Sequence, residues 1–136
     1  MAKMVLLASF VSVGGNDLSS YCNSIELTTE VDAQDATTFA SLGWKEVLGG
    51  LKSAGLALGF KQDVAAAALD SIIWPLFGTV FTFETRLSNA VVGTSNPKYT
   101  GSVLLNKWTP IGGSVGDIAE VSVDWPSSGA VTRATA

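Results

Sequence analysis

Two runs of strict alternation constrain this chain more than anything else in it. In the first, Ile25, Leu27, Thr29 and Val31 interleave with Glu26, Thr28 and Glu30; in the second, Ala54, Leu56, Leu58 and Phe60 interleave with Ser53, Gly55, Ala57, Gly59 and Lys61. A period of two sends one set of side chains to a buried face and the other to water, which describes a sheet covered on one side. The segment between the runs, about residues 32–49, is too long for a tight hairpin. It reads as a protruding loop that carries Phe39 and Trp44 among Thr37, Thr38, Ser41, Gly43, Lys45 and Glu46. Loops of this length inside a compact domain are functional or disordered. Two large aromatics argue against disorder, so the loop is expected to become ordered against something else.

The rest of the chain supplies more of the same element. Strands are expected over Met4–Val13, Ser24–Val31, Gly50–Gln62, Thr79–Ser88, Tyr99–Thr109 and Ile118–Trp125, separated by turn-rich stretches such as Gly14-Gly15-Asn16 and Pro110–Asp117. The first run, MAKMVLLASFVSV, also has the outline of a weak secretory signal, but Ser9 and Ser12 interrupt it and no small-residue cleavage site follows. A strand buried on both faces is the better reading. Leu18 and Tyr21 are expected to tuck inward from the connection Asp17–Asn23. Phe81, Phe83, Thr85 and Leu87 should share the inner face of the fourth strand.

The period changes once, at Asp63. Four alanines and apolar positions at Val64, Ala68, Leu69, Ile72, Ile73 and Leu76 predict one α-helix over about 63–76, capped by Asp63 and ended by Pro75 and Gly78. The tail SSGAVTRATA reads either as a loose arm or as a short added strand. The layer rules turn six strands and one helix into a mainly β single domain, residues 1–136, of sandwich or barrel type.

Charge and composition exclude more than they assign. The formal charge is −4, the wrong sign for a protein that grips nucleic acid by neutralising phosphates. Only 15% of residues are charged and 47% are hydrophobic, where ~25% charged is usual; part of this apolar surface is expected to be covered by other subunits. With one cysteine, Cys22, and no histidine, neither an internal disulfide nor a Cys/His metal cluster can form, and Cys22 reads as a small buried hydrophobe in a reducing compartment. No uncharged apolar run approaches the roughly 18 residues that span a bilayer.

The motifs offer little chemistry. Gly112-Gly113-Ser114-Val115-Gly116 matches G-x-S-x-G, but the hydrolase elbow needs a strand-to-helix context and a histidine base; a glycine turn is the reading kept. Asp32 with Asp35, and Glu26 with Glu30, lack the ligand spacing of a calcium loop, and no nucleotide-binding pattern occurs. Trp74, Trp108 and Trp125 read as core. No enzyme activity, cofactor or metal is expected. On composition alone the chain is also compatible with a small monomeric or dimeric β-sandwich that binds a ligand or carbohydrate.

The order of phrases resembles a known family. VDAQDATTF, GWKEVLGGLKSAGLALGFKQD, the Ala-rich stretch leading to WPLFGT, NPKYTGSVLL, and GGSVGDIAEVSVDWP with its TRAT ending are together similar to the major tail protein, or tail tube protein, of long-tailed siphophages, especially those infecting actinobacteria. The resemblance spans almost the whole chain. It implies a β-sandwich or barrel-like subunit with one helix, forming hexameric rings that stack into a hollow tube for the genome. It implies a virion protein assembled in the host cytoplasm, partnered by itself, a tape measure protein, a tail terminator and distal tail or baseplate proteins. Double-stranded DNA passes through such a tube without specific binding, and no membrane is involved. On this reading the loop contacts the next ring through Asp32, Asp35, Thr38, Phe39, Trp44, Lys45 and Glu46. Residues 1–4 and 127–136 bridge subunits, and Glu26, Glu30 and Glu84 are candidates for an acidic lumen.

Overall fold

The computed structural model describes residues 3–136. Among them are eight strands: β1 (Phe10–Val13), β2 (Asn16–Asp17), β3 (Cys22–Asp35), β4 (Val47–Lys61), β5 (Val80–Arg86), β6 (Lys98–Leu104), β7 (Glu120–Pro126) and β8 (Thr132–Ala134). One short helix, α1 (Leu69–Ile73), lies between β4 and β5. Two antiparallel sheets result, one in the order β2-β1-β5-β6-β8 and one in the order β3-β4-β7. The mainly β fold expected from the alternation is therefore present as a sandwich.

The inner faces meet in a single core. Val11 and Val13 of β1, Phe81 and Phe83 of β5, and Val103 of β6 pack with Leu56, Leu58 and Phe60 of β4 and Val121, Val123 and Trp125 of β7. Phe81 and Trp125 join the sheets edge to face, with ring centroids 5.4 Å apart, a geometry the ring quadrupoles favour. The buried indole N–H of Trp125 donates to the Lys107 carbonyl at 2.9 Å. At one corner Ser127 and Ser128 cross between sheets: the Ser127 N–H donates to Ala54 and the Ser128 N–H to Ser102, both at 2.8 Å.

Several sequence expectations are corrected here. The loop over 32–49 is strand at both its ends, because β3 runs on to Asp35 and β4 starts at Val47, leaving residues 36–46 between them. The reason is physical: this part of the pair is wet on both faces, so it lacks the alternation that betrays a half-buried strand while still making ladder hydrogen bonds. The expected first strand shrinks to Phe10–Val13 and is buried on one face, with Met4–Leu7 exposed. Six strands become eight, as Asn16–Asp17 folds back on β1 and the tail pairs with β6 through Thr132↔Thr100 and Lys98↔Ala134. Leu87 lies beyond β5 and is exposed. Cys22 is half-buried.

The helix is the largest departure. Residues 65–68 form a turn, Ala68 rather than Asp63 is the N-cap, and a 3-10 turn over Trp74–Leu76 follows α1. The Asp63 carboxylate accepts from the Ala65 N–H at 3.0 Å and the Asp63 carbonyl from the Asp70 N–H at 3.1 Å. Ala67 takes a left-handed conformation at φ 59°, at a cost of roughly 1–2 kcal/mol. Alanine propensity is a weak prior. It yields here to core anchoring by Leu69 and Ile73 and to the Trp108 indole N–H, which donates to Asp70 at 3.1 Å. Trp74 is exposed, not core, and stacks on Phe77 with centroids 5.7 Å apart. The expected bridging segment, residues 1–4, lies partly outside the described residues.

Gly59 marks a close approach. A Cβ there would collide with the Ser24 hydroxyl and lie 2.8 Å from Asn23 Oδ1, where the register with β3 shifts between Cys22 and Ser24. In urea unfolding, Trp125→Ala should lose about 3–5 kcal/mol, whereas Phe39→Ala should stay within about 0.5 kcal/mol of the parent. A stability loss for Phe39→Ala as large as that for Trp125→Ala would contradict this division between core and surface.

Candidate assembly surfaces

Beyond the body, β3 and β4 continue alone as a two-stranded ribbon. Register runs on through Ala33↔Gly49, Gln34↔Leu48 and Asp35↔Val47, with Asp32 at an irregular step. The ribbon ends in a built tip. The Asp35 carboxylate accepts from the Thr37 N–H at 2.9 Å, and the Thr37 side chain and N–H together hold that carboxyl below its ordinary pKa. Across the ribbon, the Glu46 N–H donates to the Thr37 hydroxyl and the Ala36 N–H to the Glu46 carbonyl, both at 2.9 Å. Thr38 caps a 3-10 turn over Phe39–Ser41 and donates its N–H to the Ser41 hydroxyl at 3.2 Å. The Ser41 carbonyl accepts from the Trp44 N–H at 3.0 Å.

This ordered backbone holds its apolar side chains in water. Phe39 is 103% exposed, Leu42 85% and Trp44 79%, and Val47, Leu48 and Leu51 continue the apolar surface along the ribbon. All seven sequence-predicted contact residues fall on this segment, with Lys45 and Glu46 exposed beside Trp44. Sequence reasoning singled out the aromatics and missed Leu42, Leu48 and Leu51. Aliphatic residues in a stretch with no buried face were the available signal. Leu42 sits in the left-handed region at φ 54°, where a branched side chain is uncommon.

The three glutamates assigned together by sequence are not together. Glu26 and Glu30 lie on the outer face of β3, where the row Glu26, Ala57, Asp124 crosses all three strands. The small residues Gly55 and Ala57 lower the middle of this face into a trough of about 590 Å3 that Glu26, Glu30 and Asp124 border. Glu84 lies on the other sheet, paired with Arg86 at 3.2 Å, and the Arg86 guanidinium stands 4.1 Å from the Phe10 ring centre. The outer faces of the two sheets point in opposite directions. Asp124, which sequence reasoning did not select, is the acid that joins Glu26.

No protein-family model and no curated protein matches the sequence. Solved structures do match in fold. A chain from the virion of a native gene transfer agent particle superposes with a TM-score of 0.73 at 17% identity, covering 92% of this chain and 94% of the other. A chain from the tail of an empty gene transfer agent particle, with C6 symmetry, superposes with a TM-score of 0.64 at 17% identity, covering 93% of each.

The tip carries its own pH response. A carboxyl whose pKa is depressed in the folded state adds stability above its ordinary value of ~3.9 and loses it as pH falls through the folded-state value. Followed by NMR from pH 7 to pH 2, the Thr37 amide should shift with Asp35 protonation at a lower pH than an unperturbed aspartate would give. Asp35→Asn should abolish that transition; its persistence would assign the shift to another group.

Proposed function

We propose that this chain is a structural tail protein that forms stacked hexameric rings and so builds a hollow tube for DNA, as in phage-like particles. The observation that carries the reading is the ribbon. A two-stranded projection that buries no large apolar side chain of its own, yet has a hydrogen-bonded tip and exposed Phe39, Leu42 and Trp44, is built to be covered by another molecule. Support for the identity of that molecule comes from the fold shared with chains of a virion and of a C6-symmetric tail. The hydrophobic excess and the unpaired outer edges of β3, β7 and β8 are accounted for if neighbouring copies cover them. Length control and closure of such a tube would fall to a tape measure protein, a terminator and distal tail proteins.

In this reading DNA moves past a wall of like charge and does not adhere, the reverse of binding by counterion release. The trough bordered by Glu26, Glu30 and Asp124 and the face carrying Glu84 cannot both line one bore. We infer that the acidic trough, which has no basic partner among its lining residues, is the wall, and that Glu84 is held in its ion pair elsewhere.

Negative-stain electron microscopy against rising protein concentration tests the assembly. Rings stacked into hollow rods are expected from the parent, and folded protein that forms no rods from Phe39→Ala with Trp44→Ala, because central aromatics dominate interface energy. A ligand-binding monomer at every concentration, with or without tail initiators, would overturn the proposal. For the wall, Glu26→Lys with Glu30→Lys should leave tubes intact and slow DNA passage, while Glu84→Lys should leave passage unchanged; the opposite pattern would put the other sheet inward.

A further inference from the structure

β4 gives the molecule two ends. Its fifteen residues span about 50 Å at strand rise, with the ribbon tip before Val47 and Lys61 at the far end. Gln62, immediately beyond, is tied to the loop that precedes β7: its N–H donates to the Ala119 carbonyl at 2.9 Å and its side-chain amide to the Pro110 carbonyl at 2.8 Å. That loop holds the glycine-rich stretch that resembles a hydrolase elbow. Gly113 and Gly116 adopt φ of 135° and 90°, and between and around them the loop presents Ile111, Val115 and Ile118 to water, Val115 at 106% exposure. The pole opposite the aromatic tip is therefore also apolar, and the length of β4 keeps the two from meeting within one chain.

We propose that this loop is the seat for the ribbon tip of a second copy, so that Phe39, Leu42 and Trp44 of one subunit pack on Ile111, Val115 and Ile118 of the next along the β4 axis. The inference rests on the assembly proposed above and names the receiving surface. Two different patches at opposite ends make a head-to-tail contact, which propagates without limit instead of closing as a dimer. The area points the same way. Phe39 and Trp44 offer on the order of 300–500 Å2, short of the ~800 Å2 per partner of a free-standing interface. One joint does not hold two isolated subunits; several joints acting in parallel between rings do.

The test is cross-linking of assembled protein in a Cys22→Ser background. Ala40→Cys, on the exposed tip turn beside Phe39, combined with Ser114→Cys, exposed beside Val115, should give, on oxidation, a ladder of covalent multimers in steps of one subunit, and neither single variant should give one. In a second arm, Ile111→Asp with Val115→Asp should leave rings but lower the yield of stacked tubes at least tenfold. Assembly that proceeds without a ladder, or tubes that form normally from the aspartate variant, overturns the seat while leaving the tube reading standing. Loss of the rings themselves in the aspartate variant overturns the axial placement. A parent protein that never assembles overturns the tube reading, and this one with it.

Discussion

Everything distinctive about this molecule depends on where β4 stops having two partners. From Gly55 to Phe60 the strand is paired on both sides, with β3 and with β7. At Ala54 the second partner ends: Pro126 closes β7, and Ser127 takes both backbone groups of Ala54, its N–H donating to the carbonyl at 2.8 Å and its hydroxyl accepting from the Ala54 N–H at 3.0 Å. Toward the tip only β3 remains. One continuous strand thus serves as core element and as projection, and the pair Ser127–Ser128 that ends its double pairing also carries the chain to the other sheet.

That arrangement explains why burial and exposure divide so sharply along a single strand. Leu56, Leu58 and Phe60 are among the most buried residues, while Leu48 and Leu51 of the same strand are exposed. The body is held by hydrophobic contact across two sheets. The ribbon has no second layer, so it draws its order from backbone pairing and from the side-chain bonds of Asp35, Thr37 and Ser41 at its end.

The sandwich was legible in the sequence wherever a strand has one wet and one buried face. Leu56, Leu58, Phe60, Val121, Val123 and Trp125 are core as their alternation predicts, and Phe39 and Trp44 are exposed as their polar surroundings predict. What was not legible follows from the same rule. Alternation reports burial rather than pairing, so the ribbon strands read as loop. The alanine run read as helix because propensity is local, whereas the turn at Asp63–Ala68 is set by contacts with Trp108 and the core. The split of Glu84 from Glu26 and Glu30 depends on which strands share a sheet, and strand order is not written in any one strand. Asp124 escaped for the same reason, since it meets Glu26 only across β4.

The ribbon also has a mechanical meaning. A sandwich with an interlocked core resists deformation, because bending it would open voids between packed side chains. A two-stranded ribbon has no such layer and twists more readily than a wide sheet. In a polymer whose subunits touch along the axis through ribbons, bending and torsion would concentrate at the joints while each body kept its shape. Compliance would then be fixed by the number of ladder bonds between Val31 and Val47, and a longer or shorter ribbon would make a softer or stiffer filament from the same body.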